Sequence, residues 1–141
     1  MYCFDANIWI YYLDQTLEEH DVVTDSLDSL IEKEPLFTTT VLQMEVVHYF
    51  HTQLEHSDGR IERFLTLEDV LTADLTIEDV ETGADILQSH PHAGIGGRDA
   101  AVLAAMHRYD VSQLWTHDTG LRRVADDLEW LEVTDPVRNG R

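Results

Sequence analysis

Asp5, Glu45, Asp99 and Asp118 are the residues on which chemistry can be built. They are scattered through 141 residues, yet each stands where the chain changes character. Asp5 closes the apolar run Met1–Phe4, and Glu45 sits among Met44, Val46 and Val47, a setting in which an unpaired acid is costly. Asp99 comes directly after the glycine-rich stretch 94–98, and Asp118 closes Thr116-His117-Asp118. Four carboxylates drawn together repel one another and raise one another's pKa unless a cation lies between them. Oxygen-only ligands favour Mg²⁺ or Mn²⁺ over zinc. Such an ion lowers the pKa of a bound water, positions it, and stabilises a phosphodiester during in-line attack. That chemistry needs no histidine base and leaves a 5′-phosphate and a 3′-hydroxyl. Ordinary roles are open to the same residues: Asp5 in a turn, Asp99 capping a helix, Asp118 in an Asx-turn before Thr119-Gly120.

The elements between the acids decide whether they meet. Short apolar runs predict strands at 1–4, 36–39, 70–75, 113–116 and 130–133. Helical spacing predicts helices at 7–13, 16–34, 42–54, 60–65, 76–89, 100–109 and 121–127. Pro35 stops the second helix, and Ser57-Asp58-Gly59 marks a turn before the fourth. In the helix opened by Thr76, with Asp79 as capping partner, Ile77, Val80, Ala84 and Leu87 are expected to face the core. Strands alternating with helices predict an α/β fold, a three-layer α/β/α sandwich around a mostly parallel sheet of about five strands. Residues 1–141 read as one domain. Ligands of such sheets bind beyond the carboxyl ends of the strands, where all four acids are expected.

Composition narrows the partners. The chain has 43% hydrophobic residues, enough for a core, and a net charge of −19, which excludes a broad basic nucleic-acid surface. The acids are dispersed and Lys33 is the lone lysine, a composition that resembles proteins of salt-loving organisms. At molar salt the Debye length is about 3 Å, so self-repulsion is slight. No run is long enough to span a membrane, and one cysteine, Cys3, forms no internal disulfide; a cytoplasmic protein is expected, with Cys3 a buried strand thiol. Trp9, Trp115 and Trp130 are expected in the core before they stack on bases, although Trp9 with Tyr11-Tyr12 is an alternative dimer face. The pairs His48/His51 and His90/His92 lack a zinc spacing with a third ligand.

The run CFDANIWIYYL resembles the opening of the PIN-domain family, a strand ending in Asp followed by a small residue and Asn. TTTVLQMEVVHYF is similar to that family's second motif, and GGRDAAVLAAMHRYDVSQLWTHD to its third and fourth. The resemblance spans essentially the whole chain. It implies a Mg²⁺- or Mn²⁺-dependent endoribonuclease with Asp5, Glu45, Asp99 and Asp118 as metal-site acids, and Asn7 and Thr116 supporting them. It further implies the toxin of a toxin–antitoxin pair, acting on RNA, dimeric, and blocked by a small antitoxin protein. Arg98, an atypical neighbour of Asp99, is a candidate phosphate contact.

Rivals from other classes fare less well. A phosphatase or receiver domain needs a second acid beside Asp5 and a late lysine, and both are missing. A ribonuclease built on a histidine pair would leave a cyclic phosphate and need no metal. A PIN-like module that binds RNA or protein without cutting is the strongest alternative, opposed by the presence of all four acids.

Overall fold

The computed structural model describes residues 1–53 and 58–139. Leu54, expected to end the third helix, and Ser57 of the expected turn lie outside them. Five short strands, β1 (Tyr2–Phe4), β2 (Leu36–Thr39), β3 (Val70–Ala73), β4 (Gln113–Trp115) and β5 (Glu132–Thr134), pair in the order β3-β2-β1-β4-β5. Every pairing is parallel, so each crossover carries helices, and a three-layer α/β/α sandwich results. The register sets Phe4 beside Trp115 and Cys3 beside Phe37.

The helices are α1 (Ala6–Leu13), α2 (His20–Lys33), α3 (Thr40–Gln53), α4 (Asp58–Leu65), α5 (Ile77–Ser89), α6 (Gly97–Arg108), α7 (Thr119–Ala125) and α8 (Pro136–Asn139). Helix α1 packs against α2 and α3, while α5 lies along α6. Phe4, Trp9, Phe37, Phe50, Leu103 and Leu114 are among the fully buried side chains. Trp9 meets Phe4 and Phe64 edge to face, with ring centroids 5.3 and 5.2 Å apart, which places it in the core and removes it from any dimer face. Cys3 is buried between strands, and burial together with the charge of Asp5 pushes its thiol well above the usual range.

Two expectations about helices need correction. Helix α2 begins at His20 rather than Thr16, because the Asp14 carboxylate takes the Thr16 amide and hydroxyl at 3.0 and 2.7 Å and holds that segment in a turn. Helix α5 is rotated from the face its apolar residues implied. Asp79, Gly83 and Ile86 are buried, whereas Ile77, Val80 and Ala84 are exposed and Leu87 is partly buried. Thr76 and Asp79 do form the reciprocal cap, and Asp79 then turns inward to a two-point pair with Arg108, both N–O distances 2.9 Å. The strand order reverses between β1 and β4, which creates a crevice at their carboxyl ends.

Candidate functional site

Asp5 leaves β1 at that crevice and begins α1. Its Oδ1 accepts the Ala6 amide at 2.8 Å, and its Oδ2 accepts the Thr116 hydroxyl at 2.6 Å across 111 residues of sequence. Thr116 follows β4 and is fully buried. Its oxygen also accepts the Asp118 amide at 3.0 Å and lies 3.5 Å from the donating Asn7 Nδ2. Asn7 Oδ1 in turn accepts the His117 amide at 3.4 Å. One hydroxyl therefore ties together the ends of the two strands that flank the crevice.

Asp118 caps α7, its Oδ1 accepting the amides of Gly120 and Leu121 at 2.7 and 3.3 Å. Gly120 is required here for space. A Cβ on it would lie 2.8 Å from the Ala93 carbonyl oxygen and 2.9 Å from that of Gly94. The loop before Asp99 thus packs directly on the turn that holds Asp118. Gly94 has φ 81°, a conformation glycine adopts without strain. Asp99 lies in the first turn of α6, where its Oδ2 accepts the Gly96 amide at 3.2 Å. Glu45 projects from α3, just after β2, and shares a concave surface with Thr40, Val41, Met44, His48, Leu75 and Arg98.

Electrostatics reveals which acids meet. Burial, aided by the charges of Asp99 and Glu45, raises Asp5 to about 6 although Thr116 and Ala6 donate to it. Burial also raises Glu45, with Asp99 adding to it and the Arg98 guanidinium opposing. Asp99 is raised by burial and by Asp118, and is opposed by the Gly96 amide and Arg98. Asp5 thus feels Glu45 and Asp99, and Asp99 feels Asp118, while Asn7 and Thr116 are hydrogen-bonded to each other beside Asp5 and Asp118, and Arg98 is exposed.

An all-carboxylate set held in mutual repulsion matches what a hard divalent cation requires. Among the described residues, no three His, Cys, Asp or Glu side chains are already closed into a coordination group. Among those residues, however, one oxygen each on Asp99 and Asp118 and both on Glu45 make no hydrogen bond, so the donors fit the ion. The histidine pairs do not gather: His90 Nδ1 donates to the Ile86 carbonyl, 2.9 Å away, and His51 and His92 are exposed.

Sequence reasoning missed His117 and Asp135. Asp135 is buried, its Oδ1 accepts the amides of Val137 and Arg138, and its Oδ2 lies 2.8 Å from His117 Nδ1. Its only sequence signal was Asp135-Pro136, a helix-capping acid followed by proline at the first helical position.

A parallel α/β sheet with an acidic crevice at its switch point defines the class of protein. The chain belongs to the PIN domain family, whose model matches residues 2–127. Solved structures share the fold at low identity. The VapBC2 complex from Rickettsia felis bound to a DNA fragment from its promoter aligns with TM-score 0.69 and 13% identity over 95% of this chain and 97% of that one. VapC20 from Mycobacterium tuberculosis, a Sarcin-Ricin loop cleaving toxin, aligns with TM-score 0.70 and 13% identity over 86% and 95%. A toxin–antitoxin complex from Klebsiella pneumoniae gives 0.66 and 16% over 96% and 98%. No curated protein matches the chain in sequence.

Proposed function

We propose that this PIN-domain chain is an endoribonuclease dependent on Mg²⁺ or Mn²⁺, acting as the toxin of a toxin–antitoxin pair in a high-salt cytoplasm. The observation that carries the reading is the electrostatic coupling of Asp5 to Glu45 and Asp99, and of Asp99 to Asp118, with burial and these neighbours raising Asp5, Glu45 and Asp99 from their ordinary values. Bound there, the ion supplies the positive charge that activates water and stabilises a phosphodiester under attack. Asp5, Glu45, Asp99 and Asp118 would hold it; Thr116 and Asn7 hydrogen-bond beside Asp5 and the Asp118 amide and so steady both. Arg98 draws a phosphate toward the acids, an attraction no other described side chain offers to both Glu45 and Asp99.

Relatives solved as toxin–antitoxin complexes support a small antitoxin as partner. The exposed apolar face of α5, Ile77, Val80 and Ala84, adjoining Leu75, supports a homodimer. Val80→Glu converts the dimer to monomer in sedimentation measurements; a monomeric wild type removes this part of the reading. Cleavage of end-labelled transfer RNA in molar KCl with Mn²⁺ tests the chemistry. Wild type yields 5′-phosphate ends, while Asp5→Asn and EDTA abolish them. Cyclic-phosphate ends, or full cleavage in EDTA, would overturn the assignment.

A further inference from the structure

We propose, resting on the ribonuclease reading above, that Arg122 and Arg138 form a second phosphate-holding site, which grips the RNA strand beside the carboxylate crevice. Nine lysines and arginines stand against 28 acids in this chain, so where the cations gather is informative. Arg108 is committed to Asp79 and the Asp74 carbonyl. Arg122 and Arg138 instead converge on Asp135, standing 3.7 and 3.8 Å from its Oδ2.

Neutralising Asp135 does not account for them. Its Oδ1 already accepts two amides and its Oδ2 is taken by His117 at 2.8 Å. Each guanidinium has five N–H donors, and among the described residues neither arginine side chain donates a hydrogen bond. Two guanidinium groups share this one carboxylate, and side-chain exposures of 36% and 55% keep them within reach of a ligand. Arg122 also lines a concavity of about 560 Å³ with Thr119, Arg123 and Asp126, the last its acid.

Position ties this charge to the crevice. Arg122 lies one helical turn beyond Asp118, and its amide donates to the Asp118 carbonyl at 3.3 Å. Thr119, at the edge of the concavity, follows Asp118 directly. A single strand with one phosphate at the acids and a course along α7 would meet Arg122, which shares Asp135 with Arg138. The charge of the buried Asp135 draws both guanidinium groups to one place before the strand arrives. A phosphodiester fits better than an acidic peptide, because the same path continues from the site at which the proposed reaction cuts.

Binding of a fluorescent 12-residue oligouridylate to Asp99→Asn, which leaves the strand intact, is the test. With Mn²⁺ present, adding Arg122→Gln or Arg138→Gln raises Kd about threefold each, and both together about tenfold. The slope of log affinity against log salt falls by about 0.7 for each contact removed. In the otherwise wild-type enzyme the same changes raise KM and leave kcat unaltered, as expected for a contact made equally before and during reaction. Lys33→Gln changes neither quantity, and the Mn²⁺-induced rise in melting temperature of the otherwise wild-type enzyme is the same with and without the arginine changes. Unchanged affinity and salt slope in the double variant overturn the phosphate site even if RNA is cut. Absence of cleavage with the arginine effect intact overturns the nuclease reading alone. No binding of RNA by any variant overturns both.

Discussion

Asp79 and Asp5 are 1% and 8% exposed, and both begin helices that follow strands. Their surroundings differ in sign. Arg108 donates to both oxygens of Asp79 and holds that carboxyl below the usual range. Asp5 receives two neutral donors but looks onto Glu45 and Asp99, and it is pushed up to about 6. A buried acid with its counter-charge built in serves the fold. A buried acid surrounded by other acids weakens the fold until something positive arrives, so under the proposed function the first contributes stability and the second a place for chemistry.

The comparison can be broken most severely by exchanging effects. Asp99→Asn lowers RNA cleavage at least about 100-fold and leaves the melting temperature in EDTA unchanged or higher. Asp79→Ala does the reverse: it costs about 3 kcal/mol, read as a fall of roughly 10 °C, with kcat unaltered at temperatures where the variant is folded. Full activity in Asp99→Asn, or lost activity in folded Asp79→Ala, would show that the crevice acids and Asp79 have been assigned the wrong way round.

Titration sharpens the contrast. Because the folded-state pKa of Asp5 lies above its unfolded value of 3.8, the folded chain holds that proton more tightly. Its contribution to metal-free stability is therefore favourable relative to neutral pH in acid, declines as pH rises from about 4 to 6, and is level above that. The full difference is on the order of 3 kcal/mol. Asp79, being depressed, contributes above the ordinary carboxylate range and loses its contribution as pH falls through its folded value. In EDTA, subtracting the wild-type stability from that of Asp5→Asn should give a curve that climbs between pH 4 and 6 and then flattens. A flat difference across that window would mean that Asp5 carries no uncompensated charge.

Much of this was legible in the sequence. Each strand is a short apolar run, and because a parallel sheet sends all its carboxyl ends one way, Asp5 and the Thr116–Asp118 turn had to share an edge. Asn7 and Thr116 were likewise readable from their motif. What failed was the face of α5. Periodicity counts apolar side chains, and nothing local reveals that Arg108, 29 residues on, draws Asp79 inward. Gly83 then sits against Ala100, at 3.5 Å from where its Cβ would be, and the larger apolar residues turn outward. The Asp135 cluster escaped for the same reason, since His117 and Arg122 reach it across separate elements.

The Thr116 hydroxyl gives the site a position in time as well as in space. Asp5 is made well before its supporting donor and Asp118, which come more than a hundred residues later in the chain. Until β4 has been synthesised and slotted in beside β1, Asp5 lacks this donor and the acid set is incomplete. A growing chain thus holds the four acids apart from one another until its fourth strand is in place.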